Sequence, residues 1–187
     1  MGIKKIVAGF IVIALLLTGC GGGSSFSADN LAIRKINDKK QVVRYGMTRT
    51  DAEKVLGVGE KQGDGVGARN SYNYESGVVI AYRDDKVVVI LLNEGSSDVY
   101  ETSKGARVGM LKGEIEEMYG ENYLKETNER NLDYIYDSVN KKFIVDSGSM
   151  KDLKADNKTY MISSTFNSDG YAETVMLLDR EFGVYLR

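Results

Sequence analysis

The chain has 187 residues, of which 25 are Lys or Arg, 27 are Asp or Glu, one is Cys and none is His. Without His it lacks the commonest general base and the commonest metal ligand of proteins. The slightly acidic balance, with no basic block, argues against binding of nucleic acid. We therefore predict no cofactor, no metal site and no nucleic-acid partner.

The first 19 residues have the pattern of a secretory signal. Two lysines are followed by an uncharged apolar run, residues 6–17, which ends in the sequence LTGC. The run is too short to span a bilayer, because about 20 residues are needed to cross about 30 Å. We predict a signal peptide at residues 1–19 that is cleaved between Gly19 and Cys20.

This ending resembles the bacterial lipobox, in which a small residue precedes a cysteine that receives a lipid. The resemblance implies that Cys20 carries a diacylglyceryl anchor on the outer face of the cell membrane, or on an outer membrane if the cell has one. An acylated Cys20 leaves no thiol nucleophile, since it is the only cysteine. The alternative is an ordinary secretory signal with an incidental cysteine. Residues 20–30 are rich in Gly and Ser, which predicts a flexible tether.

One segment occurs twice. RYGMTRTDAEKVLG (residues 44–57) and RVGMLKGEIEEMYG (residues 107–120) match at an offset of 63. Each predicts a short helix that ends at glycine, and Thr48 or Thr50 gives the first copy the stronger N-cap. Both copies carry an apolar stripe at i, i+3 and i+4, formed by Ala52, Val55 and Leu56 in the first and by Ile115, Met118 and Tyr119 in the second. We expect Leu56 and Met118 to occupy equivalent buried positions.

The segments after each helix match as well. YNYES (residues 72–76) and YIYDS (residues 134–138) alternate as half-buried strands do. Residues 78–92 predict a hairpin that turns at Asp84-Asp85, and residues 159–178 predict one that turns in the sequence NSDG. The second copy has an insertion in which residues 141–146 extend a strand and residues 147–158 form an exposed loop.

The helix opening GMTRTDAEKVLG resembles a pattern of the β-lactamase-inhibitor protein fold and of the small outer-membrane lipoproteins of the β-barrel assembly machinery. The matching residues are Gly46, Met47, Thr48, Arg49 and Gly57 in the first copy and Gly109, Met110 and Gly120 in the second, where Leu111 departs from the threonine. The resemblance implies an α+β fold of two tandem units, each a short helix packed on an antiparallel β-sheet. We place these units at residues 31–100 and 101–187. The disulfides of the inhibitor family are missing, and no binding residue carries over by alignment.

Two features of the strands concern packing. The tyrosines at positions 72, 74, 134 and 136 share strand faces opposite polar residues, which favours core packing over a binding surface. Residues 87–92 are apolar on both faces, and such a run predicts cover on both sides of the sheet.

No motif indicates an enzyme. The sequence SVNK (residues 138–141) fits the Ser-x-x-Lys pattern of penicillin-binding enzymes, but it follows a strand and lacks their companion motifs. The glycine-rich residues 57–67 run from helix to strand, the reverse of a phosphate loop. The aspartate pairs 84/85 and 152/156 lack the pattern of a calcium loop.

We therefore predict a lipid-anchored extracytoplasmic binding protein that recognises another envelope or secreted protein, with enzyme inhibition as one form of that role. The predicted surface is one sheet face together with the loops at residues 57–67 and 147–158, because binding residues gather on loops carried by a rigid scaffold. The alternative is a structural factor for assembly or stability of the envelope.

Overall fold

The structure, a computed structural model, describes residues 26–63, 70–125, 128–151 and 156–183. Within these residues the strands and helices follow one another as β1 Ala32–Lys35, β2 Val42–Arg44, α1 Arg49–Leu56, β3 Glu60–Lys61, β4 Ser71–Tyr74, β5 Val78–Arg83, β6 Lys86–Leu92, β7 Tyr100–Thr102, α2 Lys112–Tyr119, β8 Asn131–Asp137, β9 Lys142–Ile144, α3 Ser147–Lys151, β10 Thr159–Phe166, β11 Ala172–Asp179 and α4 Arg180–Gly183. The predicted α+β class with antiparallel sheets is confirmed.

The strands form two sheets. The larger sheet has eight strands in the order β3-β4-β5-β6-β11-β10-β8-β9, and the smaller sheet has the order β2-β1-β7. Every pairing in both sheets is antiparallel. At the centre of the larger sheet β6 pairs with β11, so that Val89 lies opposite Leu178 and Leu92 lies opposite Val175.

Both predicted hairpins are confirmed. Strands β5 and β6 are joined by Asp84 and Asp85, whose φ angles of 49° and 60° both lie in the left-handed region. This is the geometry of a two-residue type I′ turn, which matches the twist of the flanking strands. In this hairpin Ala81 opposes Val89 and Tyr82 opposes Val87. Val88 is therefore the extra residue of a β-bulge.

The two longer helices differ at their starts and agree at their ends. The Thr48 side chain accepts a hydrogen bond of 3.2 Å from the Asp51 N–H at the start of α1. Helix α2 begins after Leu111, which has no side-chain acceptor, and the weaker second cap is confirmed. Both helices end at a glycine with φ of 86°, Gly57 and Gly120, where an L side chain is strained.

The prediction that Leu56 and Met118 occupy equivalent buried positions is wrong, because the equivalent of Leu56 is the next residue, Tyr119. Leu56 and Tyr119 are the last residues of the two helices and are 8% and 7% exposed. Met118 is only half-buried. The reason is the helical period: the buried Ile115 lies one turn before Tyr119, so these two side chains share the core face.

One face of the larger sheet carries the main core. Helices α1 and α2 and the smaller sheet contribute buried side chains to the same cluster as this face. Tyr74, Tyr134 and Tyr136 are buried there, which confirms the core prediction for them. Tyr72 is half-buried, and the guanidinium carbon of Arg49 lies 3.7 Å from the centre of its ring.

The opposite face of the larger sheet is partly covered. Ala81, Val88, Val89 and Leu178 are buried there in a second cluster to which Phe182 of α4 contributes. A Cβ atom added at Gly183 would lie 3.4 Å from the Leu178 side chain, so α4 packs directly on this face. The predicted cover on both sides of residues 87–92 is confirmed at Val88 and Val89, whereas Leu91 is half-buried.

Three predicted boundaries need correction. Phe26 is 5% exposed and its ring lies 5.4 Å from that of Tyr136, so the fold begins inside the predicted tether, residues 20–30. The predicted loop at residues 147–158 begins with the helix α3, where Met150 packs on a small apolar cluster. The division between residues 100 and 101 falls inside β7, which pairs with β1. In the described ranges no helix has the length and apolar character to cross a membrane.

Candidate binding surface

The predicted site residues lie in separate places. Gly19 and Cys20 are outside the described residues, as are parts of both predicted loops, residues 64–69 and 152–155. The described part of the first loop forms β3 at one edge of the eight-stranded sheet, and α3 contacts β9 at the other edge. Since neighbouring strands lie about 4.8 Å apart, these edges are separated by roughly 34 Å across the sheet. The described strand β3 of the first loop and the helix α3 of the second therefore lie at opposite edges of this sheet.

The residues that could suggest catalysis have structural roles. Ser138 follows β8, and its Oγ donates a hydrogen bond of 2.6 Å to the carbonyl oxygen of Lys158. Lys141 is exposed in the turn before β9. Asp156 uses one carboxylate oxygen to accept hydrogen bonds from the backbone N–H groups of Lys158 and Thr159. Over the described ranges, no group of three or more candidate metal ligands comes together.

An uncovered row of side chains crosses six strands of the larger sheet. Its members lie directly opposite one another across β4, β5, β6, β11, β10 and β8. Directly opposed residues project from the same face of a sheet. We call this set the open row; it consists of Asn73, Val79, Leu91, Met176, Ser163 and Asp133.

The open row has an apolar centre and polar ends. Val79, Leu91 and Met176 are half-buried and adjacent. At one end the side chain of Gln62 donates a hydrogen bond of 2.7 Å to that of Asn73, and at the other Ser163 donates to Asp133 at 2.5 Å. An apolar centre with a polar rim is the anatomy of a protein interface.

The second buried cluster on this face lies one row away, and Met176 packs against its edge. The neighbouring row, two residues along each strand, includes the buried residues Ala81, Val89, Leu178 and Ile135. It lies beneath α4 and the apolar cluster of α3. The open row therefore lies at the border between the covered part of this sheet face and its exposed part.

A buried carboxylate fixes the position of α4. Asp179 is fully buried and accepts hydrogen bonds from the Tyr45 hydroxyl at 2.7 Å, the Arg83 guanidinium at 2.5 Å and the Phe182 N–H at 2.9 Å. Arg83 also lies 3.1 Å from a carboxylate oxygen of Glu181. Burial, reinforced by the bond to Asp179, raises the pKa of Tyr45 well above its ordinary value.

This network borders a cleft of about 380 Å³ that Lys86 and Asn157 also line. Because both oxygens of Asp179 are occupied by protein donors, the network stabilises the fold and offers no free group to a ligand. Removal of a buried carboxylate leaves its partners unsatisfied and is costly in stability. The network therefore holds α4 in place.

No sequence pattern predicts the open row. Of its six residues, only Leu91 lies in a segment that the sequence marks as unusual, the apolar run at residues 87–92. The identity of its neighbours depends on strand order and register, which join residues as distant as Asn73 and Asp133. The contact of Tyr45 with Asp179 spans 134 residues and had no sequence signal either.

The chain matches no family model, and it has no significant match among curated proteins or solved structures.

Proposed function

We propose that this protein is a lipid-anchored extracytoplasmic binding protein whose open row contacts another envelope or secreted protein. The observation that carries the proposal is the adjacent set Val79, Leu91 and Met176, half-buried at the middle of a sheet face and flanked by hydrogen-bonded polar side chains. A partner that covered this set would remove apolar surface from water, which is the main driving force of protein association.

Two polar groups that could suggest catalysis are held by the fold instead. The buried carboxylate Asp179 is occupied by Tyr45 and Arg83. The hydroxyl of Ser138 is bound to a backbone carbonyl. A nucleophile needs a neighbouring base within hydrogen-bond reach, and neither of these groups has that arrangement.

We further propose that the chain consists of two tandem units of the β-lactamase-inhibitor type. Equivalent backbone hydrogen bonds support this proposal. The N–H of Gly46 donates to the carbonyl of Val87 at 2.8 Å, and the N–H of Gly109, 63 residues later, donates to that of Ala172 at 2.8 Å. The open row would then cross the seam between the units, with three strands from each.

The anchor is proposed at Cys20. The experiment is to express the full chain and a Cys20→Ser variant in a bacterium with lipoprotein processing, and to separate membranes from soluble protein. The proposal expects a lipid-modified N-terminal peptide at Cys20 by mass spectrometry and release of the variant from membranes. An unmodified cysteine in the membrane-bound native chain would contradict it.

The binding role is tested by isolating the protein with its partner from native membranes. The proposal expects one partner in a fixed ratio, and loss of that partner with Met176→Lys but not with the control Tyr171→Lys. Tyr171 is 46% exposed and lies outside the open row. Recovery of a large multi-protein complex would instead favour the structural assembly role. Recovery unchanged by Met176→Lys would contradict the open row as the site.

A further inference from the structure

The smaller sheet contains a charge concentration that the binding role does not use. Residues 31–44, which span β1, β2 and their connection, include five Lys or Arg and one Asp, for a net charge of +4. The rest of the chain after residue 19 includes 18 Lys or Arg and 26 Asp or Glu, for a net charge of −8. A basic hairpin is thus carried by an otherwise acidic protein.

The strand register places cations of this hairpin on the outer side of the smaller sheet. Ile33 lies opposite both Val43 and Thr102, and all three side chains are fully buried, so they form the inner side. Side chains alternate along a strand, and therefore Arg34 and Arg44 belong to the outer side. Lys39 of the connecting turn lines the same concavity as these two arginines, and Lys40 follows it in the chain. We call these four residues, Arg34, Lys39, Lys40 and Arg44, the basic face.

Acidic residues neutralise only part of this face. The Arg34 Nε atom lies 2.7 Å from a carboxylate oxygen of Glu101, and the Lys39 Nζ atom lies 3.8 Å from the same oxygen. Lys40 and Arg44 are exposed and form no ion pair with any residue that the structure describes.

The basic face surrounds a concavity of about 240 Å³. Arg34, Lys39 and Arg44 line it together with the small or apolar residues Ala32 and Val42. Asp29 also lines it, and Asp38 in the connecting turn accepts a hydrogen bond from the Lys40 N–H. Three cations around one concavity suit the negatively charged phosphate of a headgroup.

The basic face begins close to the proposed lipid. Phe26, the first described residue, follows Cys20 by six positions, which an extended chain covers in at most about 21 Å. The carbonyl of Asn30 accepts a hydrogen bond of 3.0 Å from the hydroxyl of Ser103, the residue that follows β7. An acyl anchor and a basic cluster are a known pair of membrane-binding signals, each adding to the affinity of the other.

We propose that the basic face binds the anionic phospholipid headgroups of the membrane that holds the anchor. The identity of the membrane in this contact rests on the proposed lipidation of Cys20. The positive charge of the basic face is independent of that lipidation. The smaller sheet packs on the side of the larger sheet that carries α1 and α2, and the open row is on the other side. Headgroup binding would therefore turn the open row away from the bilayer, toward a protein partner.

The test uses the chain from residue 20, which is the product of the proposed cleavage, with Cys20→Ser. It is sedimented with vesicles of phosphatidylcholine alone or of phosphatidylcholine and phosphatidylglycerol in equal amounts. We expect binding to the anionic vesicles only, weakened by added salt. The triple variant Lys39→Gln, Lys40→Gln, Arg44→Gln should bind about 100-fold more weakly, since each cation near the surface contributes about fivefold, from about 1 kcal/mol.

The matched control is the triple variant Lys86→Gln, Lys141→Gln, Lys142→Gln, which removes the same charge from exposed positions elsewhere. Equal weakening by both triple variants, or equal binding to both kinds of vesicle, would overturn the proposal. Sedimentation of the first variant without vesicles would also overturn the proposal. Such self-association would show that the cations keep the edge strand β2 from pairing with a strand of another molecule. Since no lipid is attached in this assay, its failure leaves the anchor at Cys20 to be judged separately.

Discussion

At the scale of single residues, the side chains that determine this fold include polar ones. Asp179 joins three separate parts of the chain, because Tyr45 precedes α1, Arg83 ends β5 and Phe182 belongs to α4. No sequence pattern could predict this set, since a carboxylate at the end of a strand is ordinarily exposed. The alternating tyrosines were predictable as core residues, because their neighbours on the strand are polar.

The Asp179 network yields a stability prediction. Asp179→Ala removes the buried acceptor of the Tyr45 hydroxyl and of the Arg83 guanidinium. Because the Arg83 side chain is 30% exposed and keeps its contact with Glu181, the expected loss is about 1–3 kcal/mol, the cost of leaving buried donors unsatisfied. Denaturant unfolding measures the change. The control is Asp169→Ala in an exposed turn, which should change stability by no more than about 0.5 kcal/mol. Equal effects of the two substitutions would show that the network contributes nothing.

At the scale of elements, local signals predicted α1, α2 and the turns well, their buried faces less well, and the short helices α3 and α4 not at all. The glycine ends, the stronger first cap and the Asp84-Asp85 turn all depend on backbone geometry within a few residues. The one-residue error at Met118 arose because a stripe at i, i+3 and i+4 contains three candidates, and only packing selects Ile115 and Tyr119. The bulge at Val88 had no signal in a uniformly apolar run.

The difference between the helix starts gives a second prediction. In α1 the Thr48 side chain caps the Asp51 N–H, whereas Leu111 precedes α2 with 42% of its surface exposed. Leu111→Thr should therefore stabilise the protein by about 0.5–1 kcal/mol, the usual value of a cap. The reciprocal change Thr48→Leu should destabilise it by a similar amount. Thermal or denaturant unfolding would contradict the expectation if Leu111→Thr were destabilising.

At the scale of the whole molecule, the chain was predictable as an antiparallel α+β protein, but its surface was not. The open row depends on the pairing of β6 with β11, and this pairing joins strands that are far apart in sequence. Hydrophobic alternation indicates which residues of a strand are alike, and it does not indicate which strands are neighbours. The two loops were correspondingly predicted at one site, whereas β3 of the first and α3 of the second lie at opposite edges of the sheet.

The ionisable groups together predict the pH range of stability. Burial raises the pKa of Tyr45, Tyr82, Tyr119 and Tyr134 above the ordinary value of 10.0. A tyrosine whose pKa is higher in the folded state contributes its full stabilisation below pH 10. This contribution to the free energy of unfolding is progressively lost as pH rises above 10. At low pH the opposite case applies to Asp137, where burial would raise the pKa but hydrogen bonds from Asn140 and Val139 lower it overall.

Stability should therefore be lost as pH falls below about 4, and it should be nearly constant between about pH 5 and 9, where no His titrates. Denaturant unfolding across this range, together with tyrosinate absorbance in alkali, measures both limits. Ionisation of these tyrosines near pH 10 in the still folded protein would contradict the assignment of their burial.

Photo-crosslinking in native cells is the sharpest test of whether the open row contacts a protein partner outside the cytoplasm. A photoreactive amino acid is placed at Leu91 in the full chain, and the control carries it at Tyr171, which is exposed outside the open row. The account predicts one crosslinked protein at Leu91 and none at Tyr171. Crosslinking at Tyr171 alone, or no crosslinked protein at Leu91 in cells that contain the anchored chain, would contradict it.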